Sequence, residues 1–119
     1  MALPVIAEQD FEREVLRSEL PVLIDFYADW CAPCKELDVQ VFARRDVAEV
    51  MTRFTLLHVD MTKPSDALDE LSRRYEAETL PAVVVISPDG RNRTRLINGP
   101  PLPHADDFRD KLSAALPTN

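Results

Sequence analysis

The sequence predicts an α/β domain: a mixed sheet of four to five strands flanked by helices on both faces. Three observations lead there. Apolar runs of strand length recur at VLIDFYA (22–28), FTLLHVDM (54–61) and PAVVVIS (81–87). Segments of helical period lie between them, and strands alternating with helices imply βαβ crossovers and parallel pairing. The last two strands are joined only by the short turn PDG (88–90), so they pair antiparallel.

Each element has its own reason. In QDFEREVLRSE (9–19), Phe11, Val15 and Leu16 fall on one helical stripe. Pro21 ends that segment, and the near-continuous apolar run after it suits a strand buried on both faces. From Pro33, the residues Leu37, Val41, Val47, Val50 and Met51 recur at helical spacing, with a kink expected near Ala43–Asp46. The second apolar run is a second buried strand. Ser65 to Tyr75 reads as a helix with Ser65 as its N-cap and Leu68 and Leu71 facing inward. RTRLING (93–99) has the alternating character of a half-exposed strand, and HADDFRDKLSAAL (104–116) is an amphipathic helix. A further short strand is possible near Leu3–Ile6.

The chain of 119 residues is the size of one compact domain, and 45% hydrophobic content is enough to build a core. A net charge of −7 repels phosphate backbones and argues against nucleic acid as a partner. The longest aliphatic run, Val83–Ile86, falls far short of the ~20 residues that cross a bilayer, so no direct membrane insertion is expected. MALPVIAEQDF has neither a basic start nor an adequate apolar stretch for an intact signal peptide. That suits either a cytoplasmic protein or an excised domain of a larger exported one.

The chain's two cysteines, Cys31 and Cys34, sit in FYADWCAPCKELD (26–38), where a buried strand ends and a helix begins. Structural zinc wants four ligands, and the only other soft ligands are the isolated His58 and His104; no metal is expected. His58, within a strand, reads as packed or half-exposed. A structural staple is weak too, because so small a ring stabilises by only about 2 kcal/mol. Redox chemistry suits the placement better. A thiolate is the nucleophile of disulfide exchange, and unpaired N–H groups at a helix start stabilise it. Cys31 is then the nucleophile, beside Trp30, and Cys34, one turn further in, is the resolving cysteine. Pro33 suits the first helical turn and stiffens the Ala32-Pro33 spacer.

VLIDFYADWCAPCK resembles the active-site segment of the thioredoxin superfamily. TLPAVVVISPDG resembles that superfamily's cis-proline loop and the strand after it, and Gly99 matches the glycine that follows the last strand. The similarity runs over about residues 10–116 of a single domain, 1–119. The spacer departs from the usual Gly-Pro. The stretch CKELDVQVF…DV is most similar to the C-terminal thioredoxin-like domain of the DsbD family of thiol-disulfide interchange proteins.

The resemblance implies a protein-disulfide reductase with no cofactor beyond its redox disulfide. It implies that Asp25, a lone carboxylate in an apolar run and costly to ionise there, moves protons to or from the inner sulfur. Asp38 shares a helix face with Cys34, and by the resemblance tunes the pair. Trp30, Ala32, Pro33, Thr79, Leu80 and Pro81 become the substrate-docking residues, with Leu80–Pro81 cis and the adjacent backbone pairing with an extended substrate. Thioredoxins proper carry a lysine near the buried aspartate; by alignment Leu56 stands there, so Asp25 is expected to lack a cationic neighbour. Lys35, Glu36, Arg44 and Arg45 read as solvated surface.

These features imply a monomeric electron-relay domain of the DsbD type. It would take electrons from an upstream thiol donor, a membrane domain or a thioredoxin reductase. It would pass them to a disulfide-bearing protein or partner domain. The matching location is periplasmic, as a domain of a membrane-anchored protein, with a cytoplasmic alternative. A free-standing thioredoxin or a cytochrome-maturation-type reductase is the alternative function. An oxidase or isomerase ranks lower, because Ala-Pro lacks the polar or histidine-containing spacer that stabilises a reduced thiolate. A non-catalytic thioredoxin-fold binding module is less favoured, because Cys31, Cys34, Asp25 and Pro81 are all intact.

Overall fold

The computed structural model describes Arg13, Val15 and residues 17–117. Four strands make one sheet: β1 (Val22–Tyr27), β2 (Thr55–Asp60), β3 (Ala82–Ile86) and β4 (Arg93–Asn98). Their spatial order is β2-β1-β3-β4. β1 pairs parallel with β2 and antiparallel with β3, and β3 pairs antiparallel with β4. The antiparallel β1–β3 pair corrects the expectation that helix-bearing connections give parallel neighbours. The segment between β2 and β3 holds a helix and a loop, long enough to return the chain in either sense. Arg13, Val15 and Arg17 are helical. Phe11, Leu16 and the expected strand near Leu3–Ile6 lie outside the described residues.

The helices are α1 (Ala32–Leu37), α2 (Arg45–Met51), α3 (Asp66–Arg74) and α4 (Ala105–Ala114), with a π-helical turn at Asp38–Phe42 after α1. The long helix expected from Pro33 is therefore two helices, and they part within the Ala43–Asp46 stretch where a kink was expected. The π turn widens the coil, and Arg44 takes an extended conformation (φ −70°, ψ 132°) before α2 begins. The break keeps Leu37, Val41, Phe42, Val47 and Met51 all buried against the sheet. A straight 3.6-residue helix would rotate some of them away. Ser65 caps α3, its hydroxyl accepting from the Leu68 N–H at 3.1 Å.

Alternation along the strands sorts the core into two layers. Leu23, Val83, Val85 and Ile97 pack under α1, the π turn, α2 and α4. Val22, Ile24, Phe26, Leu57, Val59, Val84 and Ile86 pack with Leu68 and Leu71 of α3 on the other face, and Val15 joins them. Each such fully buried side chain contributes about 1.5–3 kcal/mol of transfer free energy. β4 bulges against β3 between Val83 and Val84, which leaves Leu96 and Ile97 turned to the core and the arginines outward.

Arg44 is not simply solvated. Its guanidinium forks onto Asp46, with both contacts at 2.7 Å, and also pairs with Asp106 of α4. Arg109 reaches Asp46 at 2.6 Å. The network ties α2 to α4 where the helix break brings the two together.

Candidate active site

β1 is interior to the sheet, and its C-terminal end delivers the cysteines. Ala28 accepts the Cys31 N–H at 3.1 Å, and Cys31 is the N-cap of α1 with β-region backbone (φ −91°, ψ 99°). A cap normally supplies an oxygen to a free amide; here the Cys31 Sγ accepts the Cys34 N–H at 3.2 Å. Pro33 sits in the first turn, where no N–H is required. Cys31 and Cys34 are joined as a disulfide with a Cα–Cα distance of 5.3 Å. The two are almost equally buried, at 5% and 3% exposure. What separates them is access: Cys31 lines a surface groove and Cys34 does not.

That groove has a volume of about 870 Å³ and is walled by Trp30, Cys31, Ala32, Pro33, Thr79 and Leu80. Five of the six docking candidates therefore meet Cys31 there. The sixth, Pro81, is buried directly after them, and the Leu80–Pro81 bond is cis. A second cis bond, Pro100–Pro101, had no sequence expectation. Leu80, Met61 and Tyr27 pack against the cysteines. Trp30 is 69% exposed, so it is surface and not core. Gly99, at φ +73°, donates its N–H to the Pro81 carbonyl and lies against the Thr79 methyl. Met61 was not singled out from the sequence; its N–H bonds the Tyr27 carbonyl at 2.7 Å, which holds it beside the groove.

Asp25 is 2% exposed, and strand alternation puts it on the face that α1 covers, next to Leu23. Here the structure corrects the sequence reading. Asp25 does have a neighbour able to carry positive charge: His58 Nε2 stands 3.2 Å from Asp25 Oδ2. The parallel register sets Asp25 directly opposite His58. Leu56 lies on the same face one pleat repeat earlier, opposite Leu23, so the neighbour comes from a different position than the one where thioredoxins carry lysine. The His58 ring stacks on Tyr27, with centroids 3.7 Å apart.

Burial first, then the charge of Asp60, push the Tyr27 phenol up to about 12. Burial opposes ionisation of Asp60, but hydrogen bonds from Thr62 and Tyr27 outweigh it and hold its carboxyl below the usual value. Asp38 is exposed at the start of the π turn. Its carboxyl is nevertheless pushed up, first by local loss of solvent and then by the charge of Asp25. Among the described residues, no group of three or more His, Cys, Asp or Glu can hold a metal. No described helix is long and apolar enough to cross a membrane.

A strand-end CxxC disulfide at a helix N-cap, opening on a groove walled by a cis-proline loop, defines a thiol-disulfide oxidoreductase site. The chain belongs to the thioredoxin family: the family model "Thioredoxin" matches residues 2–110. Its relatives include "Thiol:disulfide interchange protein DsbD 2" of Pseudomonas aeruginosa, 40% identical over 72 residues, or 60% of this chain and 12% of that protein. The chain thus spans about an eighth of that relative's length. A thioredoxin of Rickettsia bellii is 28% identical over 91 residues, 76% of this chain and 81% of that one. The C-terminal domain of Neisseria meningitidis DsbD in its reduced form superposes with a TM-score of 0.76 at 24% identity, covering 93% of this chain and 98% of that one. This last likeness is one of fold.

Proposed function

We propose that the chain is a DsbD-like electron-relay domain acting as a reductant through Cys31 and Cys34. The observation that carries the reading is the placement of the pair: Cys31 lines the groove, and Cys34 lies behind it in α1. In the reduced protein the Cys31 thiolate attacks one sulfur of a partner's disulfide. The partner's S–S bond breaks and a mixed disulfide forms. Cys34 loses its proton and attacks the Cys31 sulfur, which releases the partner as a dithiol. Two electrons have then moved to the partner, and the Cys31–Cys34 disulfide re-forms. Asp25 takes or returns the Cys34 proton, and Asp38 sets the charge around the pair.

Trp30, Ala32, Pro33, Thr79, Leu80 and Pro81 are the docking surface. Backbone of the cis-proline loop pairs with an extended segment of the partner. An upstream thiol donor, such as a membrane domain, restores the dithiol. The setting that fits is a periplasmic domain of a membrane-anchored protein. The chain acts as one domain, residues 1–119, and the sulfurs carry the electrons without a further cofactor.

A second reading, a free-standing thioredoxin, is favoured by the match to most of the Rickettsia protein's length. Fast insulin reduction driven by thioredoxin reductase supports that reading; slow insulin reduction with fast exchange toward one partner supports the relay.

The direct test is the reduction potential of the Cys31–Cys34 pair, read by equilibration against a defined thiol–disulfide buffer. Reference values are about −270 mV for thioredoxin and about −120 mV for the oxidant DsbA. A value near the first supports a reductant; one near the second overturns it.

A further inference from the structure

We propose that His58 is a positioning residue for the reaction, the outer half of a proton path that runs from buried Asp25 to solvent. This rests on the oxidoreductase reading above. The geometry has four parts. Asp25 is interior, with no solvent route of its own at 2% exposure. His58 Nε2 lies 3.2 Å from Asp25 Oδ2, while the His58 side chain keeps 17% exposure. Among the described residues, Asp25 Oδ1 and His58 Nε2 are buried without a hydrogen-bond partner, so the two side chains are left unsatisfied beside one another, at a distance that a small shift would close into a hydrogen bond. Tyr27 stacks on the imidazole and fixes the plane of the ring.

The step balances simply. When Cys34 attacks the mixed disulfide, its S–H proton passes to Asp25. Asp25 hands a proton to His58, and His58 loses one to water. The partner's leaving sulfur takes a proton from solvent, so the net change is transfer of two electrons and two protons to the partner. Imidazole exchanges protons in the physiological range, whereas a lysine ammonium holds its proton there. The charged groups that face His58 are Asp25 and Tyr27 from β1, Asp60 from its own strand, and Asp38 from the π turn.

The test uses the reduced full-length chain mixed with glutathione disulfide. Trp30, the sole tryptophan and the neighbour of Cys31, supplies the fluorescence signal. Parent, His58→Gln, Asp25→Asn and the double variant are compared between about pH 5 and pH 8. General acid–base groups typically contribute ~10²–10⁴-fold, and a residue acting through another contributes less. His58→Gln is expected to slow the resolving step about tenfold at neutral pH and to flatten its pH dependence. In the Asp25→Asn background the same change is expected to add nothing, since the path is already cut.

An unchanged rate and pH profile overturns the proposal. So does a loss of equal size with and without Asp25. The slope of reduction potential against pH gives a second readout that needs no partner: His58→Gln is expected to change it, and identical slopes count against the path. A parent that does not exchange with glutathione disulfide sinks the oxidoreductase reading, and the slope then decides on His58 alone. His58→Asn serves the same comparisons if the Gln variant fails to fold.

Discussion

Gly99 donates its backbone N–H to the Pro81 carbonyl at 2.8 Å, and a side chain at Gly99 would run into the Thr79 methyl. The end of β4 is thereby locked to the loop that packs on the cysteines. Gly99→Ala meets two costs: a left-handed backbone, about 1–2 kcal/mol for a residue with a Cβ, and displacement of Thr79. Gly90 has a similar φ of +74° but open space around it. Gly99→Ala should lower stability by at least that much and slow exchange with a protein disulfide. Gly90→Ala should lower stability by about 1 kcal/mol and leave exchange unchanged. Denaturant melts and stopped-flow exchange check both; equal exchange rates in the two variants would show that the Gly99 contact does not shape the loop.

The unequal access of the two cysteines makes a covalent prediction. Cys34→Ser leaves Cys31 lining the groove with nothing behind it to resolve a mixed disulfide. This variant should accumulate a stable covalent adduct with a disulfide-bearing protein, visible by mass spectrometry and removed by dithiothreitol. Cys31→Ser should form far less adduct. Comparable trapping by both variants would contradict Cys31 as the nucleophile.

The α2–α4 ion network predicts acid sensitivity. Hydrogen bonds from Arg44, then Arg109, hold the Asp46 carboxyl well below the usual carboxylate range. A depressed carboxylate contributes stability above the unfolded value of about 3.9, and that contribution is lost as pH falls below it. Asp46 is partly exposed, so the effect should be modest and weakened by salt. Asp46→Asn should lower the melting temperature at neutral pH and low salt, and the gap to the parent should shrink in acid. A gap that stays constant from neutral pH into the acid range would mean that charge pairing is not its cause.

Tyr27 predicts the alkaline behaviour. Its phenol is raised to about 12, so the fold favours the neutral form. That stability is complete below the unfolded phenol value of about 10 and is lost as pH rises toward 12. In an ultraviolet titration, Tyr27→Phe should remove a late-ionising step that the parent shows. Loss of an early step instead would show that Tyr27 is not shielded by burial and Asp60.

The sequence by itself determined the strands, the helix starts and the redox pair, because these are encoded locally. Apolar runs mark β1, β2 and β3, Ser65 marks the start of α3, and Cys31, Pro33 and Cys34 sit at the cap and first turn of the helix that follows β1. The grouping of Thr79, Leu80 and Pro81 with the cysteines was also legible, through resemblance to a motif that spans both segments. Three features were not legible. The π turn arises because Leu37 through Met51 must all stay on the sheet, a demand made by the packing and not by residue spacing, whereas the break before α2 falls where the sequence placed a kink. The antiparallel sense of β3 depends on how a long connection returns across the sheet. The pairing of Asp25 with His58 depends on the register between β1 and β2, strands that lie far apart in sequence. A shift of one pleat repeat would put Leu56 in place of His58. Only the folded sheet fixes that register, because the buried alternation of both strands has to fit two helix layers at once.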